Sequence, residues 1–418
     1  MAKIHSRLVA LAALVVPIVG VLAPRGFTAT LLAATALIGA FYAKEERCWP
    51  TFRPFPVILL VLLLGWGGLS ALWSFSAVET LAATAKLAVL AAGGMVFITI
   101  AAGLRADERS RVRWAFVVGF VVSVILLASE EWTGGSLSQT LREMTGDNPF
   151  DDLAFLNMAA CVSALTVWLA VIALAGWRRR YAPVIPIVAV ALLLGPLDSL
   201  AAQTALVTSG GVFVVALRWQ RAAFRGLRVA VFALMAFAPA APHLLPAPDT
   251  ILRVMPDLSY SIVHRIAIWQ FSADRIVEKP LTGWGLESSR HFQERYGEAF
   301  PTQYRAADRD HAVEATLAYF KSQVLPLHPH NGFLQVWLEL GAVGALALLA
   351  FLLWMLAGAE RLSDCRCEQA GLAALLAGSL VVFLTAFGAW QSWWQAALWL
   401  VAGLAVAVSR WSASPWRS

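Results

Sequence analysis

Charge is scarce in this sequence: Asp, Glu, Lys and Arg make up 14% of 418 residues, against about a quarter in a soluble globular chain. With 59% hydrophobic residues and a mean hydropathy of +0.69, a water-soluble enzyme is excluded, as are disordered and collagen-like chains. Cysteine is sparse too. Cys48, Cys161, Cys365 and Cys367 lie in or beside apolar runs and the longest polar segment has none, so neither a disulfide framework nor a zinc quartet is indicated. A pI near 9.4 in such a chain reports membrane topology before nucleic-acid binding, and no nucleic-acid partner is expected.

What is present is a series of apolar tracts near the ~20 residues that a helix needs to cross ~30 Å of hydrocarbon. Twelve are expected, at 7–23, 27–43, 56–73, 79–103, 114–129, 153–176, 182–197, 200–217, 227–245, 331–357, 370–388 and 391–409. Only Gly195, Pro196, Leu197 and Asp198 divide the seventh from the eighth. Lys3 and Arg7 precede the first tract, but no small-residue cleavage site with a polar continuation follows it, so it reads as a span and not a signal peptide. If the chain starts inside, twenty Lys and Arg fall on inside segments, including Arg105, Arg109, Arg111 and Arg113, Arg178 to Arg180, and Arg218, Arg221, Arg225 and Arg228. The short outside loops hold only Arg25 and Arg142, and 130–152 is acidic through Glu130, Glu131, Glu143, Asp147, Asp151 and Asp152. The positive-inside rule then places both termini, with Arg410 and Arg417 in the C-tail, in the cytoplasm.

The chain divides into spans one to nine (1–245), a polar segment (246–330) and spans ten to twelve (331–418). The polar segment has 85 residues, nine basic and ten acidic, and five of the seven histidines. Long loops translocate regardless of charge, and this one is too long for a connector, so function is sought there. Mixed apolar and charged spacing predicts a helix over Ser259 to Val277, stopped by Pro280; Thr282-Gly283-Trp284-Gly285 reads as a turn, and Ala312 to Val324 as a second helix ahead of Pro326.

His328-Pro329-His330-Asn331-Gly332-Phe333 stands where this loop meets the tenth span. Proline favours the first helical position, so Pro329 is expected to open that helix with His330 in its first turn, where the helix dipole would hold the imidazole neutral and able to accept a proton. The same exposed N–H groups suit a phosphate; the plain alternative is a pair of capping histidines among headgroups. Arg265, flanked by Val263, Ile266 and Ile268 and not by acids, suits an oxyanion, or else snorkels as an interfacial anchor beside Trp269. Lys86, in the fourth span, is expected to hold a lipid-linked anion or to pair with Asp198 or Glu339; Glu339 reads as a packing hydrogen bond. Gln203 and Thr204 line a cavity or bond neighbouring helices.

His328-Pro329-His330-Asn331-Gly332-Phe333 and the following Glu339-Leu340-Gly341 closely resemble the hallmark of the bacterial O-antigen ligase family, which is related to O-antigen polymerases. Leu69-Ser70-Ala71-Leu72-Trp73-Ser74, Phe155-Leu156-Asn157 and Pro280-Leu281-Thr282-Gly283-Trp284-Gly285-Leu286 are similar to further segments of that family, so the resemblance covers about 60–345. It implies an all-α polytopic membrane protein with about twelve transmembrane helices and one large, partly helical periplasmic loop. It also implies a metal-independent, cofactor-free glycosyltransferase in a Gram-negative inner membrane. The donor would be a glycan on undecaprenyl pyrophosphate, and the acceptor a sugar of lipid A-core. By resemblance His330 is the essential base and Arg265 holds the pyrophosphate, with His328 and Asn331 beside them. The family's Ser-Arg pair has no counterpart in Ala202-Gln203-Thr204, so Lys86, Arg290 or Arg309 would supply the second positive charge.

Pyrophosphate is a good leaving group, so positive charge and one base suffice for inverting attack by a hydroxyl, each worth ~10²–10⁴-fold. Asp257, Glu278, Glu287, Glu294 and Glu298 either meet sugar hydroxyls or form solvated surface. A polymerase would use the same donor with a lipid-linked acceptor. A transporter or flippase of anionic lipid would show internal repeats and several intramembrane charges, and no clear repeat is visible.

Overall fold

A computed structural model describes residues 3–145, 156–175, 181–299 and 309–409. Phe155, Asp147, Asp151, Asp152, Arg178 to Arg180, Arg410 and Arg417 lie outside the described residues, as do the side chains of Arg142 and Arg309. Among the described residues the chain is all helix and turn, with no strand. In chain order the helices are α1 (Ile4–Leu22), α2 (Phe27–Glu46), α3 (Pro54–Leu69), α4 (Ala77–Gly103), α5 (Ala106–Thr133), α6 (Ser136–Thr145), α7 (Asn157–Leu174), α8 (Val184–Leu194) and α9 (Leu200–Arg218). They continue as α10 (Gln220–Phe237), α11 (Pro248–Val254), α12 (Tyr260–Glu278), α13 (Phe292–Tyr296), α14 (Arg309–Ser322), α15 (Gly332–Ala359), α16 (Arg366–Thr385) and α17 (Ser392–Val408).

Each of the twelve apolar tracts contains a helix, but nine of the helices in the described residues are long and apolar enough to cross a membrane. α8 falls short because Pro183 precedes it and Gly195 ends it, leaving 11 residues. α10 does not run on to residue 245: past Phe237 the chain turns by 81° into Ala241–Val254, and counting that bent pair as one span gives ten. α17, at 17 residues, is also short. The predicted helices of the polar segment appear as α12 and α14.

α7 is buried along nearly its whole length and forms the axis of the bundle, packed by α1, α5, α8, α9, α16 and α17. Burying every face of a helix requires close neighbours. Trp168 Nε1 donates to Ser209 Oγ of α9 at 2.9 Å, and a Cβ at Gly119 of α5 would lie 2.1 Å from the Leu14 carbonyl oxygen, so backbones of α1 and α5 touch as small residues permit. Arg113 of α5 and Glu368 of α16 form a buried pair at 2.6 Å.

The feature that positions the polar segment is a break in α15. Gly341 has φ 62 and ψ −162, a conformation open essentially to glycine alone. The break frees backbone groups of the apolar helix, and the Pro280–Gly285 turn satisfies them. Trp284 and Gly285 N–H donate to the Leu338 and Glu339 carbonyls at 2.9 and 2.8 Å, while Ala342 and Val343 N–H donate to Pro280 and Leu281 at 2.9 and 3.4 Å. Contact is backbone on backbone: a Cβ at Gly283 would sit 2.4 Å from the Glu339 carbonyl, and one at Gly341 2.4 Å from that of Leu281. The other face of the turn enters the bundle, with Leu286 N–H on Ser70 Oγ at 3.0 Å and Thr80 Oγ1 on the Leu286 carbonyl at 2.8 Å. Trp66 Nε1 takes the Leu340 carbonyl at 2.9 Å.

Gly341→Ala is therefore expected to destabilise the protein by roughly 1–3 kcal/mol from backbone strain alone, with the Leu281 clash in addition. Gly226→Ala in α10, where nothing lies within 4 Å, is expected to leave stability unchanged or slightly raised. Thermal melts of the purified variants in one detergent check both.

Candidate active site

The expectation that Pro329 opens the tenth helix is corrected by the structure. Asn331 is the N-cap: its Oδ1 accepts the N–H groups of Phe333 and Leu334, both at 3.1 Å, and α15 begins at Gly332. An Asn cap satisfies two orphan donors, whereas proline only tolerates the first turn. His330 consequently stands outside the helix, in the left-handed region at φ 54. That conformation brings its ring over His328, with centroids 4.2 Å apart, and lets its N–H donate to His328 Nδ1 at 3.2 Å.

Hydrogen bonds assign the tautomers. His330 Nδ1 lies 2.9 Å from the Ala386 carbonyl oxygen, which can only accept, so Nδ1 carries the proton and Nε2 presents its lone pair. His328 has Nδ1 occupied as an acceptor, which puts its proton on Nε2; the Gln391 amide nitrogen, 3.4 Å from Nε2, is itself a donor and does not accept that proton. Both contacts come from the α16–α17 turn. Gly388 in that turn is a close approach, since a Cβ there would lie 3.0 Å from the His328 ring.

α12 delivers the cation. It is pinned to the histidine turn by Trp269 Nε1 donating to the Pro329 carbonyl at 2.9 Å, so Trp269 fastens the loop and is not merely a headgroup anchor. One turn earlier, His264 Nε2 donates to the Gln323 carbonyl at 2.9 Å. Arg265 is half-buried, its side chain forms no hydrogen bond or ion pair among the described residues, and burial lowers its pKa from the ordinary value. A guanidinium stays charged through such a shift.

The histidines feel this charge. Burial, then His330, Arg290 and Arg265, push His328 down to about 3. Burial first, with Arg265 and His264 behind it, lowers His330, while the Ala386 carbonyl works the other way. Neutral His330 is thus secured by desolvation and nearby cations, not by a place inside the helix.

A fully buried Glu339 ties the three contributing segments together. It accepts the Glu287 N–H at 2.6 Å and the Ser289 hydroxyl from the loop, Gln335 Nε2 at 2.9 Å from its own helix, and Trp390 Nε1 at 2.8 Å from the α16–α17 turn. Gln335 Oε1 in turn accepts the Ala389 N–H at 2.8 Å. Glu339 is the packing hydrogen-bond centre that its setting predicts.

The structure thus brings His328 and His330 into contact and sets Arg265 and Arg290 within electrostatic reach of His328, with Arg290 paired to Glu287. It does not bring in Lys86, which is exposed on α4 with no ion pair to Asp198 or Glu339 among the described residues. Gln203 closes the α8–α9 turn, donating to Leu194, Gly195 and Leu197 carbonyls at 2.9, 3.3 and 2.9 Å. The residues that sequence reasoning missed are His264, Ser289, Ala386, Gln391 and Trp390; a glutamine in the short turn between two apolar tracts was the available signal for Gln391.

Residues 153–349 match the family model described as O-antigen ligase. That part of the chain is similar to the O-antigen ligases. That span runs from the start of α7 into α15 and contains Arg265, Arg290, both site histidines and Glu339. The "Putative polysaccharide ligase" of Rickettsia conorii is 22% identical over 361 residues, 86% of this chain and 80% of that protein. The protein of the same name from Rickettsia felis is 25% identical over 351 residues, 82% of this chain and 78% of its own. The long apolar helices, with the similarity to O-antigen ligases, fit a multi-pass membrane protein.

Glu339→Leu would strand four donors at about 1–3 kcal/mol each and is expected to cost several kcal/mol of stability. Glu339→Gln, which keeps an acceptor, is expected to cost less than half as much. Denaturation of both variants checks the order; equal stability to the parent would contradict the geometry.

Proposed function

We propose that the protein transfers a polysaccharide from undecaprenyl pyrophosphate to a sugar hydroxyl of lipid A-core, at the periplasmic face of a Gram-negative inner membrane with both termini cytoplasmic. The observation that carries this reading is Arg265, a half-buried guanidinium without a side-chain partner among the described residues, in the field of a histidine whose Nε2 is free. An unpaired cation in a partly desolvated site is costly unless an anion binds there. A planar fork fits two phosphate oxygens. The polysaccharide-ligase names of the relatives support the same class of substrate.

The residues distribute the chemistry as follows. Arg265 holds the pyrophosphate, and Arg290, within electrostatic reach of His328, supplies the second positive charge in place of the family's missing arginine. The acceptor hydroxyl attacks the anomeric carbon from the face opposite the pyrophosphate. The new C–O bond forms as the old one breaks, the electron pair leaves on pyrophosphate, and the hydroxyl proton passes to His330 Nε2. Configuration inverts. The scheme asks for a base, positive charge and alignment, and for no metal or cofactor. His328 holds the His330 backbone through Nδ1, Asn331 fixes the start of α15, and both act by positioning.

In a reconstituted assay with lipid-linked glycan and purified core acceptor, His330→Ala is expected to lose about 10²–10⁴-fold in rate with normal expression. Arg265→Lys is expected to be nearly as damaging as Arg265→Ala, because a point charge cannot replace the fork. Unimpaired transfer by the His330 variant removes the base assignment. Polymer formed on a lipid-linked acceptor, with none on core, would instead identify a polymerase.

Because the His330 pKa is lowered from the usual 6.5, the base remains neutral and active at that pH. Transfer rate is expected to hold as pH falls through 6.5 and to decline only below it; a kcat/KM profile with an acid limb above 6.5 would contradict the buried, cation-flanked setting.

A further inference from the structure

Beyond the reacting groups, the polar segment carries an aromatic surface that the transfer chemistry does not use. Tyr260 and His264 lie one turn apart on α12, and Tyr319 and Phe320 are adjacent on α14. His264 stacks on Phe320 at 4.8 Å and 6°. Tyr260 stands 5.1 Å from Phe320 and 5.7 Å from Tyr319, ring centre to ring centre.

Phe320 is buried with Ile251 and Val263 in a small core of its own, but Tyr260 and Tyr319 keep 45% and 38% of their surface exposed. α14 also contributes one member to each of two exposed charge pairs, Arg253–Asp310 at 2.6 Å and Lys321–Glu298 at 3.8 Å. An apolar face with hydroxyls at its edge and fixed charges beyond matches a sugar ring, which offers a face of C–H groups and a rim of hydroxyls.

The platform and the reaction centre share α12. His264, the platform's inner member, lies within the electrostatic reach of His330 and directly precedes Arg265. Tyr260 is five residues before Arg265, about 7.5 Å along the helix and roughly 140° around it. A glycan whose pyrophosphate sits on Arg265 therefore meets this surface several sugars out, by passing round the helix.

We propose that Tyr260 and Tyr319 form a saccharide-binding platform that holds the donor's glycan beyond the sugar undergoing transfer; this rests on the reading of Arg265 and His330 given above. The donor is the occupant and not the acceptor, because the platform extends from the helix that carries the pyrophosphate cation. An aromatic belt at the membrane interface is the competing explanation. It is disfavoured because the tyrosines pack on each other and sit on helices outside the apolar spans, with Lys321 of an ion pair two residues from Tyr319.

The test uses the full chain in lipid nanodiscs, with lipid-linked donors bearing one sugar or a long glycan, and compares Tyr260→Ala, Tyr319→Ala and the double variant with the parent. KM for the long donor is expected to rise about 3–10-fold per tyrosine. KM for the one-sugar donor, KM for the acceptor and kcat are expected to stay unchanged, and Phe at either position to restore parental values. Should alanine variants melt early, Tyr260→Leu and Tyr319→Leu, which keep bulk but lose the aromatic face, give the same comparison. Equal effects on short and long donors, a shift in acceptor KM instead, or no shift would overturn the platform. A parent protein that transfers no glycan at all would sink the transferase reading, an outcome separate from these.

Discussion

The site depends on a helix broken at Gly341 and mended by the chain that packs on it. In the interior of a membrane protein, backbone groups released by a kink must find partners. Here the Pro280–Gly285 turn supplies them through two donated and two accepted hydrogen bonds. Because these are main-chain contacts, the loop's height and direction relative to α15 are set more tightly than side chains alone would set them. Glu339, two residues before the break, extends that constraint to Ser289 and Trp390, and so to all three segments around the histidines. The Leu69–Ser74 segment joins the same lock through Ser70. Three of the segments that carry the family resemblance are thus a scaffold; chemistry is confined to what the scaffold holds up.

Electrostatically, the arrangement keeps one kind of charge unpaired. Arg290 has Glu287 and Arg113 has Glu368, but Arg265 has no carboxylate within ion-pair reach among the described residues. The same unpaired charge, together with burial, depresses both histidines. On the proposed function, anion binding and a neutral base would both follow from this one placement, and a bound pyrophosphate would relieve the charge that keeps His330 deprotonated. That coupling would raise the basicity of His330 when donor is present.

Much of this was legible in the sequence, for physical reasons. Apolar tracts, α12, α14 and the glycine turn all follow from local pattern and from proline and glycine as breakers. His330 and Arg265 stood out because neither has an ordinary soluble-surface setting. What misled was competition between local rules: Pro329 suggested a helix start, and Asn331, two residues on, made the better cap. Twelve spans follow from the apolar tracts, but Gly195 and the bend past Phe237 shorten or break two of the helices. Other parts carried no local signal. Ala386 orients the base with a backbone carbonyl, which any residue could supply, and the pairing of Gly283 with Gly341 appears only once segments 58 residues apart meet.

The most direct measurement is a structure of the protein in lipid with an undecaprenyl-pyrophosphate-linked glycan bound and His330 replaced to halt turnover. The account predicts pyrophosphate oxygens within hydrogen-bonding distance of the Arg265 guanidinium and the anomeric carbon facing the position of the missing imidazole. A pyrophosphate bound elsewhere, with Arg265 still empty, would contradict it.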